Sequence, residues 1–538
     1  MDPLILIADA GSPGYAGLFA DFNTTVWSAM LRIAEAMVAA APFLVAGVFA
    51  AGLLRGMVGA DRTRKILGVG HWSGPLRAWG LGILLPICSL GALPVARELR
   101  RAGVPSGTVL SFVLVAPVLN PVSIIYGLSH IAPVMLFYFA LGTFVVSVGI
   151  GAIWNRVISD KCDTEPGSFE TAPRASSDRL KVVGHTAATV LMGPAFVDYG
   201  LALLAVGLLG AFLPHGALQT GLTRDNALAP VIMGVVAIPV YVTPTNVMMH
   251  FGHIVQDGFS LGAAFALIVL GAGANVGVAN WVRRDYGLKP LALFVSLLIG
   301  STLVIGLTAD RAIVNGTADT TDHTHAFDPF TRLSTVDDTS ANIAWVYSKV
   351  IDSMTVDRAW GLGLLVVIVA AGIVLRLMGE RGKVEHLLQP PEPEAEQPTY
   401  SKWNPALSPL QLTLVSAVGM LALATAGLYV FYPPVDDLIQ DMNDIRVSLY
   451  DAVREKDVAE TQRRVAQWRA QVRKLPTSVR IRLGKVSDAQ RASVDEVLYS
   501  LKTLEDYAVV GKFREVKVFK SYLEKSYSEC RLDFREHK

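Results

Sequence analysis

The sequence predicts an all-α polytopic membrane protein made of two inverted repeats with Pro-broken re-entrant hairpins, two extra C-terminal spans and a soluble helical tail. Of its 538 residues, 52% are hydrophobic and only 17% are charged, whereas soluble proteins carry about 25% charged residues. Several apolar stretches are long enough to cross a bilayer. These stretches are 36–54, 104–128, 131–153, 199–213, 259–282, 290–308, 359–375 and 409–431.

Composition also excludes several classes of function. The formal net charge is +1, and no basic block favours a nucleic-acid partner. The sequence contains no G-x-x-x-x-G-K-[ST] phosphate loop; the nearest segment, 379–383, lacks both the spacing and the Ser or Thr. We therefore expect no ATP-driven pumping by this chain alone and no cofactor. The lipid bilayer is the expected partner.

The first repeat is predicted to cover residues 1–154. Segment 55–77 carries five Lys or Arg against one Asp, so the positive-inside rule places it in the cytoplasm. The apolar piece 78–96 contains Pro86 and Pro94 and ends in arginines. We predict that it enters from the cytoplasm, turns near Cys88 and returns as a re-entrant hairpin; a full crossing is the alternative. Spans 104–128 and 131–153 complete the repeat.

The second repeat is predicted to cover residues 191–308, after a basic cytoplasmic loop at 155–190. Span 199–213 is followed by a second broken piece with Pro239 and Pro244, and then by spans 259–282 and 290–308. The same order of features thus recurs with the opposite orientation. Inverted repeats with discontinuous helices are typical of secondary transporters, whose sites lie near the bilayer midplane.

Local sequence supports the repeat independently of hydropathy. In each copy a Gly-x-x-x-Gly segment follows the broken piece, and an asparagine stands seventeen residues after the first glycine. Small residues at this spacing are explained by helix packing, but packing does not explain the matched asparagines. The matched positions are Gly103 and Gly258, Gly107 and Gly262, and Asn120 and Asn275, with Pro86 and Pro239 opening the two broken pieces.

The remaining chain changes character. Residues 309–358 form an acidic segment that we place outside, and residues 359–431 hold two additional spans around a Pro/Glu-rich cytoplasmic linker at 378–408. The final span would deliver residues 432–538 to the periplasmic or extracellular side. This arrangement makes the tail the predicted site of contact with a periplasmic protein or with a second copy.

Apolar residues in the tail recur at three- and four-residue spacing, which predicts helices. Pro476 is expected to end the first of these helices. Ser487 and Gln490 have the spacing of a capping box that would begin the next one. Nothing in this segment has the pattern of a catalytic site.

Three motifs carry a resemblance to a known family. They are Pro86-Ile-Cys-Ser-Leu-Gly-Ala-Leu-Pro94, Ala116-Pro-Val-Leu-Asn-Pro121 and Pro239-Val-Tyr-Val-Thr-Pro-Thr-Asn246. The sequence resembles the ArsP/YraQ-type permease family, which includes organoarsenical efflux permeases, over roughly residues 30–308. The resemblance implies a permease fold and an export role.

Departures from the family pattern limit what the resemblance implies about substrate. Cys88 and Ser89 match its first Cys-Ser, but Leu90 replaces the second cysteine and Thr243 replaces the cysteine of the second half. Soft metals and metalloids select thiolates, so an arsenical substrate is not carried over. Cys88 by itself is equally well explained as a small buried apolar residue.

Polar residues inside apolar segments are the candidates for substrate binding. Asn120 and Asn275 lie deep in their stretches, where unpaired polar groups are costly; hydrogen bonding between helices is the alternative explanation. We expect the remaining candidates to line the same cavity. These are Cys88, Ser89, Thr243, Thr245 and Asn246.

Two clusters have the character of metal ligands. Met248-Met-His250-x-x-His253 combines thioethers and imidazoles at helical spacing, and His323-x-His325-x-x-Asp328 lies in the acidic loop. Both residue sets suit copper or zinc, although loop histidines are usually solvated. His250 and His253 are the predicted metal ligands.

Two acidic residues, Glu35 and Asp198, lie near the ends of predicted spans and are candidates for ion coupling. Glu35 has Arg32 three residues earlier, so a local ion pair explains it. Asp198 has no such neighbour in sequence and is the predicted coupling residue. We give it the role of a proton carrier.

Together these observations predict an inner-membrane secondary efflux permease for a small molecule or a metal(loid), with alternating access at a midplane site. One alternative is a copper or zinc exporter that uses the Met/His clusters. Another is a membrane-anchored receptor or scaffold that acts through residues 432–538. An intramembrane hydrolase using Ser106 or Ser111 with His130 lacks the sequence setting of a catalytic serine, so the protein is not expected to be an enzyme.

Overall fold

The computed structural model describes residues 15–67, 73–131, 133–158, 173, 175–213, 218, 221–223, 226–240, 243–273, 275–312, 327, 342–379, 388 and 432–535. Five of the helices in these ranges are long and apolar enough to span a membrane, and a bent pair makes a sixth. The prediction of an all-α polytopic membrane protein is thereby confirmed. The chain divides into two compact units, residues 1–421 and 422–538.

The first unit contains sixteen helices within the described residues. They are α1 (Tyr15–Leu53), α2 (Ala60–Leu67), α3 (Gly74–Leu84), α4 (Ser89–Arg101), α5 (Ser106–Val115), α6 (Pro121–His130), α7 (Pro133–Val157), α8 (Ser176–Val190), α9 (Ala195–Phe212), α10 (Ala229–Ala237), α11 (Pro244–Gln256), α12 (Leu261–Gly273), α13 (Val276–Tyr286), α14 (Leu288–Ala312), α15 (Ile343–Asp352) and α16 (Val356–Leu377). A π-helical turn, Leu54–Val58, continues α1.

The predicted spans 104–128 and 259–282 are each broken into two helices. The first divides into α5 and α6, and the second into α12 and α13, which are bent by 47°. Each break ends at the matched asparagine, which caps the following helix. Hydropathy did not reveal the breaks, since the residues around them are as apolar as a helix interior.

The predicted broken piece 78–96 is indeed divided, into α3 and α4, with Pro86 in the break. The expectation that Pro94 also interrupts a helix is wrong, because Pro94 lies inside α4. In the second repeat Pro239 stands between α10 and α11, whereas Pro244 is the first residue of α11. A proline there costs the helix no backbone hydrogen bond, because the first backbone N–H groups of a helix have no intrahelical acceptor.

Both outer ends of the first hairpin lie beside the start of α5. The Ser111 hydroxyl donates to the Pro75 carbonyl at 2.9 Å, which places the beginning of α3 against α5. At the other end, α4 is joined to α5 by only residues 102–105, and Arg100 donates back to the Val104 carbonyl at 3.2 Å. The α3–α4 hairpin therefore returns to the end from which it starts.

Residues 155 positions apart have the same local geometry in the two halves. Gly103 and Gly258 end α4 and α11 with φ of 76° and 85°, and in each case the next N–H donates to the carbonyl five residues back, at 3.1 and 3.0 Å. This is the Schellman motif, which favours glycine at its left-handed position. The agreement of these φ angles and hydrogen bonds at a constant offset of 155 residues supports an internal duplication.

Helix packing follows the same register. A β-carbon built on Gly151 would lie 2.5 Å from the Gly107 carbonyl oxygen, and one on Gly306 would lie 3.0 Å from that of Gly262. Glycine is therefore needed where α7 crosses α5 and where α14 crosses α12. The start of α5 thus meets the end of α7, and the start of α12 meets the end of α14.

The predicted loop 155–190 contains a packed helix in its second half. Helix α8 lies against the end of α1, where a β-carbon on Gly52 would come within 2.7 Å of the Val183 carbonyl oxygen. Helix α16 also contacts α8, at Gly372 and Ala188. The sequence pattern did not indicate this helix, because its exposed face carries the charged residues expected of a cytoplasmic loop.

The second unit is a helical bundle, as predicted for residues 432–538. Its helices are α17 (Val435–Glu455), α18 (Val458–Leu483), α19 (Asp488–Val509) and α20 (Phe513–Arg535). The predicted apolar spacing marks its core, in which Trp468 and Tyr527 meet edge to face at 5.1 Å. The Ser487–Gln490 capping box is present, with bonds of 3.1 and 3.0 Å.

One expectation for this unit is wrong. Pro476 does not end its helix, since α18 continues to Leu483 and ends at Gly484, which has a φ of 83°. The span 409–431, nearly all of the linker 378–408 and the cluster of His323, His325 and Asp328 lie outside the described residues. Which side of the membrane holds the tail stays a prediction.

Candidate functional site

Two helix N-termini from different repeats meet inside the first unit. Cys88 caps α4 and Asn275 caps α13. The Asn275 amide donates to the Ser89 hydroxyl at 2.8 Å, and a β-carbon on Gly277 would lie 3.2 Å from the Leu90 side chain. Helices α4 and α13 therefore begin side by side, and we call this meeting point the central corner.

Asn275 is fully engaged at the central corner. Its side-chain oxygen accepts from the Val278 N–H at 3.1 Å, and its Nδ2 also lies 3.2 Å from the Ala272 carbonyl. The side chain thus joins the end of α12, the start of α13 and the start of α4. It is 1% exposed, and so a polar group that is costly to bury is satisfied by three helices.

Asn120 has the equivalent position in the first repeat. Its oxygen accepts from the Val122 and Ser123 N–H groups, both at 3.1 Å, and its Nδ2 donates to the Ala116 carbonyl at 2.9 Å. The Ser123 hydroxyl accepts from the Asn120 N–H at 2.9 Å and completes a capping box. The asparagine therefore caps α6 and ties it to the residues that follow α5.

A second pair of helices packs together from the central region. Met248 of α11 lies against Gly127 of α6, with its sulfur 3.3 Å from a β-carbon built there. Thr243 is the N-cap residue of α11, and its hydroxyl lies 3.2 Å from that of Thr245. Thr245 also donates to the Asn246 oxygen at 3.5 Å.

These four helices thus begin in two pairs, α4 with α13 and α6 with α11. Backbone N–H groups and the helix dipole make each N-terminus electropositive. The side chains at the four N-cap positions are one thiol, one hydroxyl and two amides, none of them charged. Such an arrangement suits a solute that presents oxygen acceptors or a negative charge. Its single thiol is that of Cys88, whose Sγ accepts a hydrogen bond from the Gly91 N–H at 3.3 Å.

The structure groups the predicted binding residues in two places. Cys88, Ser89 and Asn275 stand together at the central corner. Thr243, Thr245 and Asn246 stand on α11 beside α6, the helix that Asn120 caps. At the interface of the two halves a β-carbon on Gly273 would lie 2.7 Å from the Leu114 side chain. A role in substrate binding stays a prediction for all seven residues.

The predicted metal ligands lie on α11. His250 is 3% exposed, and His253 stands one turn further along the helix. Within the residues that the structure describes, no group of three or more His, Cys, Asp or Glu side chains is arranged to hold a metal ion. Metal binding by His250 and His253 stays a prediction.

Asp198 is completely buried and accepts three strong hydrogen bonds. Arg284 donates to its two carboxylate oxygens at 2.9 and 2.8 Å, and Asn280 donates at 2.7 Å. These bonds hold α9 against α13. Ion coupling by Asp198 stays a prediction, whereas the local Arg32–Glu35 pair is present at 3.0 Å.

Sequence reasoning missed an arginine-lined cavity. Its volume is about 290 Å³, and it lies between the end of α4, the π-helical turn after α1, and α8. We call it the arginine cavity. The residues that line it include Arg55, Arg97, Glu98, Arg101 and Thr186. The available signal was Glu98, an acidic residue among arginines at the end of an otherwise apolar piece.

Three arginines from different helices lie around the turn that joins α8 to α9. Arg376 donates to the Met192 carbonyl at 3.5 Å and Arg284 to the Pro194 carbonyl at 3.1 Å, while Arg97 Nη1 lies 3.2 Å from a β-carbon built on Gly193. We call this part of the first unit the arginine end. The arginine cavity opens here.

Comparison with known proteins matches the region that runs from α1 to α14. The ArsP_1 family model, described as a predicted permease, matches residues 27–310, just over half of the chain. The UPF0718 protein YcgR of Bacillus subtilis (strain 168) is 25% identical over 288 residues, which cover 50% of this chain and 94% of that protein.

A second relative matches a shorter part. The putative two-component membrane permease complex subunit of Streptococcus mutans serotype c is 21% identical over 145 residues, 27% of this chain and 48% of that protein. No solved structure gives a significant match. The family match ends within α14 and does not include the helical tail.

Proposed function

The chain belongs to the ArsP_1 family of predicted permeases, and on that premise we propose that it is a secondary permease that exports a small solute by alternating access. Permease relatives and several membrane-spanning helices support a transporter. The resemblance to organoarsenical efflux permeases supports export rather than uptake. The proposed location is the inner membrane, with the arginine end in the cytoplasm.

The observation that carries this proposal is the hydrogen bond between Ser89 and Asn275. It joins the turn of one hairpin to the broken helix of the other repeat. Broken helices at a repeat interface are where secondary transporters bind their substrates, because backbone groups are left free of helical partners there. The four N-termini in this region supply the donors.

The two helix pairs give the proposal its mechanism. Helices α4 and α13 run together toward the arginine end, where Arg100 lies over the Tyr286 ring at 5.4 Å. Helices α6 and α11 form the equivalent pair, because α11 lies 155 positions after α4 and α6 lies 155 positions before α13. Separating one pair would open the central corner to one side, and separating the other pair would open it to the opposite side. The Ser89–Asn275 bond would then break in one state, and its amide and hydroxyl would bind the solute.

The donor set limits the proposed substrate. Amide and hydroxyl groups at helix N-termini favour an anionic or oxygen-rich solute. A soft metal(loid) would have only the Cys88 thiol at the central corner, so we do not extend the family's arsenical substrate to this chain. Copper or zinc export through His250 and His253 is less supported, since no third ligand accompanies them within the described residues.

Transport assays with paired variants test the proposal. A strain lacking the gene is grown with arsenite, antimonite, copper, zinc and a panel of organic anions, and any protective effect is followed by uptake into inverted vesicles. Ser89→Ala and Asn275→Ala should reduce uptake at least about tenfold at equal abundance, the effect of losing one hydrogen bond that is made only on binding.

Ser301→Ala is the matched control, because its hydroxyl only bonds the Leu297 carbonyl within α14. Unchanged uptake in Ser89→Ala and Asn275→Ala would contradict a substrate site at the central corner. Wild-type vesicles that take up none of the panel, while deletion of residues 432–538 alone reproduces the phenotype of the null strain, would favour the receptor or scaffold alternative.

A further inference from the structure

We propose that the arginine cavity is a binding site for a small soluble oxyanion of the phosphate type, and that it loads this anion onto the path to the central corner. The loading role rests on the proposed export function. The binding site itself does not, because it is defined by the charges and the shape of the cavity.

The cavity holds more positive charge than its own carboxylate can neutralise. Glu98 is 3% exposed and pairs with Arg101 at 2.9 Å and with Arg55 at 4.0 Å. That leaves Arg97 without a salt bridge among the described residues, since the two carboxylates that act on it from outside the cavity, Asp198 and Asp285, are both paired with Arg284. An arginine fork held in a concave, partly desolvated site is the side chain best suited to a tetrahedral oxyanion.

A solvated patch of cytoplasmic arginines is the simplest competing explanation. Two observations favour a binding site. The volume of about 290 Å³ far exceeds the about 10–15 Å³ that one water needs by the same measure. In addition, the Thr186 hydroxyl lining the cavity is 2% exposed and has no hydrogen-bond partner. Such a buried donor is expected to have a ligand or ordered water.

Exposure falls along the cavity in the order expected of an entrance. The Arg101 side chain is 63% exposed, that of Arg55 is 16% exposed and that of Glu98 is 3% exposed. An anion would therefore meet Arg101 first and the more deeply placed groups afterwards. The Arg97 guanidinium packs closely against Gly193, since a β-carbon built on that glycine would lie 3.2 Å from Nη1.

Tyr199 of α9 follows a stretch of chain that runs from Arg97 to the central corner. Arg97 lies beside Gly193, just before α9, and the carbonyl oxygen of Asp198, the residue before Tyr199, lies 2.6 Å from a β-carbon built on Gly277 at the central corner. The Tyr199 hydroxyl is buried and has no hydrogen-bond partner. A donor without a partner, placed between the cavity arginine and the central corner, is the group that an anion moving inward would meet next.

The test is binding of inorganic phosphate, with sulfate and arsenate as analogues, to the full chain in phosphatidylcholine nanodiscs by isothermal titration calorimetry. Saturable binding is expected. Arg97→Gln should weaken it about ten- to hundredfold, the range for one charge-assisted hydrogen bond. Glu98→Gln should tighten it, because the competing carboxylate charge is removed. Arg156→Gln, an exposed arginine at the end of α7 outside the cavity, should leave it unchanged.

Several results would overturn the proposal. These are the absence of saturable binding, equal weakening by Arg97→Gln and Arg156→Gln, or weaker binding in Glu98→Gln that unfolds at the wild-type temperature. If phosphate does not bind and phosphatidylglycerol is retained by wild-type protein but not by Arg97→Gln, the ligand is a lipid headgroup and the soluble anion is excluded. Binding of phosphate by a protein that transports nothing would refute the export function alone.

Should Arg97→Gln fail to fold, Arg97→Lys replaces it. Lysine keeps the positive charge but lacks the planar guanidinium fork, and it should weaken phosphate binding severalfold. Tyr199→Phe separates loading from binding: it should leave the calorimetric affinity within twofold of wild type and lower phosphate transport at least fivefold. Equal transport by Tyr199→Phe and wild type would overturn the path from the cavity to the central corner.

Discussion

The Asn275 amide donates a 2.8 Å hydrogen bond to the Ser89 hydroxyl, although 186 positions separate the two residues in the chain. The same asparagine caps α13 and contacts the last turn of α12. A single side chain therefore links the turn of the first hairpin to the break in the second repeat.

This link should be measurable as a coupling free energy. Ser89→Ala is expected to destabilise the protein by about 1 kcal/mol, the net value of one hydrogen bond. Asn275→Ala should cost about 2 kcal/mol, since it also removes a helix cap. In the double variant the losses should fall short of additivity by about 1 kcal/mol. Unfolding in detergent, followed by tryptophan fluorescence, measures all three; additive losses would show that the bond contributes nothing.

Glycines at the ends of α4 and α11 should resist substitution. Gly103 and Gly258 have φ of 76° and 85°, where an L-residue costs about 1–2 kcal/mol. Gly103→Ala and Gly258→Ala should therefore lower the unfolding temperature to a similar extent. Gly149→Ala and Gly300→Ala are matched controls in α7 and α14, since a β-carbon at either position meets nothing within 4 Å. Controls as destabilised as the test variants would contradict the conformational argument.

The Asp198–Arg284 pair should behave as a structural unit. Asp198 is completely buried, whereas the Arg284 side chain is 28% exposed. Asp198→Asn should destabilise the protein by about 2 kcal/mol, because it removes the charge-assisted hydrogen bonds between α9 and α13, although Arg284 keeps its pair with Asp285 at 3.1 Å. Adding Arg284→Gln should recover part of that loss.

The same variants test the coupling role of Asp198. Melting temperature and proton-driven uptake are measured together in Asp198→Asn and in the double variant. If the carboxylate carries protons, the stable double variant should bind substrate but lose acceleration by a pH gradient. A double variant with wild-type stability and wild-type gradient dependence would exclude coupling.

Cys530 should be nearly inert in the folded tail. Burial raises the pKa of its thiol to about 11 from an ordinary value of 9.0, and only the thiolate reacts with alkylating agents. At pH 8 iodoacetamide should label Cys530 far more slowly in native protein than in urea, as peptide mass spectrometry can quantify. Rapid labelling of native protein would show that α20 opens.

The same shift makes the stability of the tail depend on pH. The folded state holds the thiol proton more tightly than the unfolded state. The stabilisation of the folded tail by the protonated thiol is therefore complete below about pH 9 and is lost as the pH rises toward 11. Cys530→Ser should remove this part of the alkaline loss. Helical circular dichroism between pH 7 and pH 11 measures the difference.

Sequence alone predicted the framework but not the breaks. The glycine and asparagine spacing predicted that positions 155 residues apart share their local geometry, and Gly103 and Gly258 do end helices in the same way. The residues at which helices end were predicted less accurately. Pro94 and Pro476 lie inside helices. Asn120 and Asn275 interrupt two stretches that are continuous in hydropathy. Proline is tolerated in a helix when the freed carbonyl finds another partner.

The long-range pairs could not be predicted from one sequence. Asp198 is 86 residues from Arg284 and Arg55 is 43 residues from Glu98, so nothing in local spacing indicates either pair. The arginines at 97–101 were interpreted only as markers of orientation, because a positive-inside signal and an anion site use the same residue type. An anion site differs from an orientation signal in the burial of its arginines, and only the folded packing of α4 against α1 establishes that burial.

Packing across the repeats has a consequence for how such a protein is made. Helix α4 packs against α13, and α6 packs against α11, so each half has a surface that is covered by the other half. When the first half leaves the ribosome, those surfaces have no protein partner until more than a hundred further residues have been synthesised. The two halves expressed from separate genes should therefore be degraded individually and stabilised by co-expression.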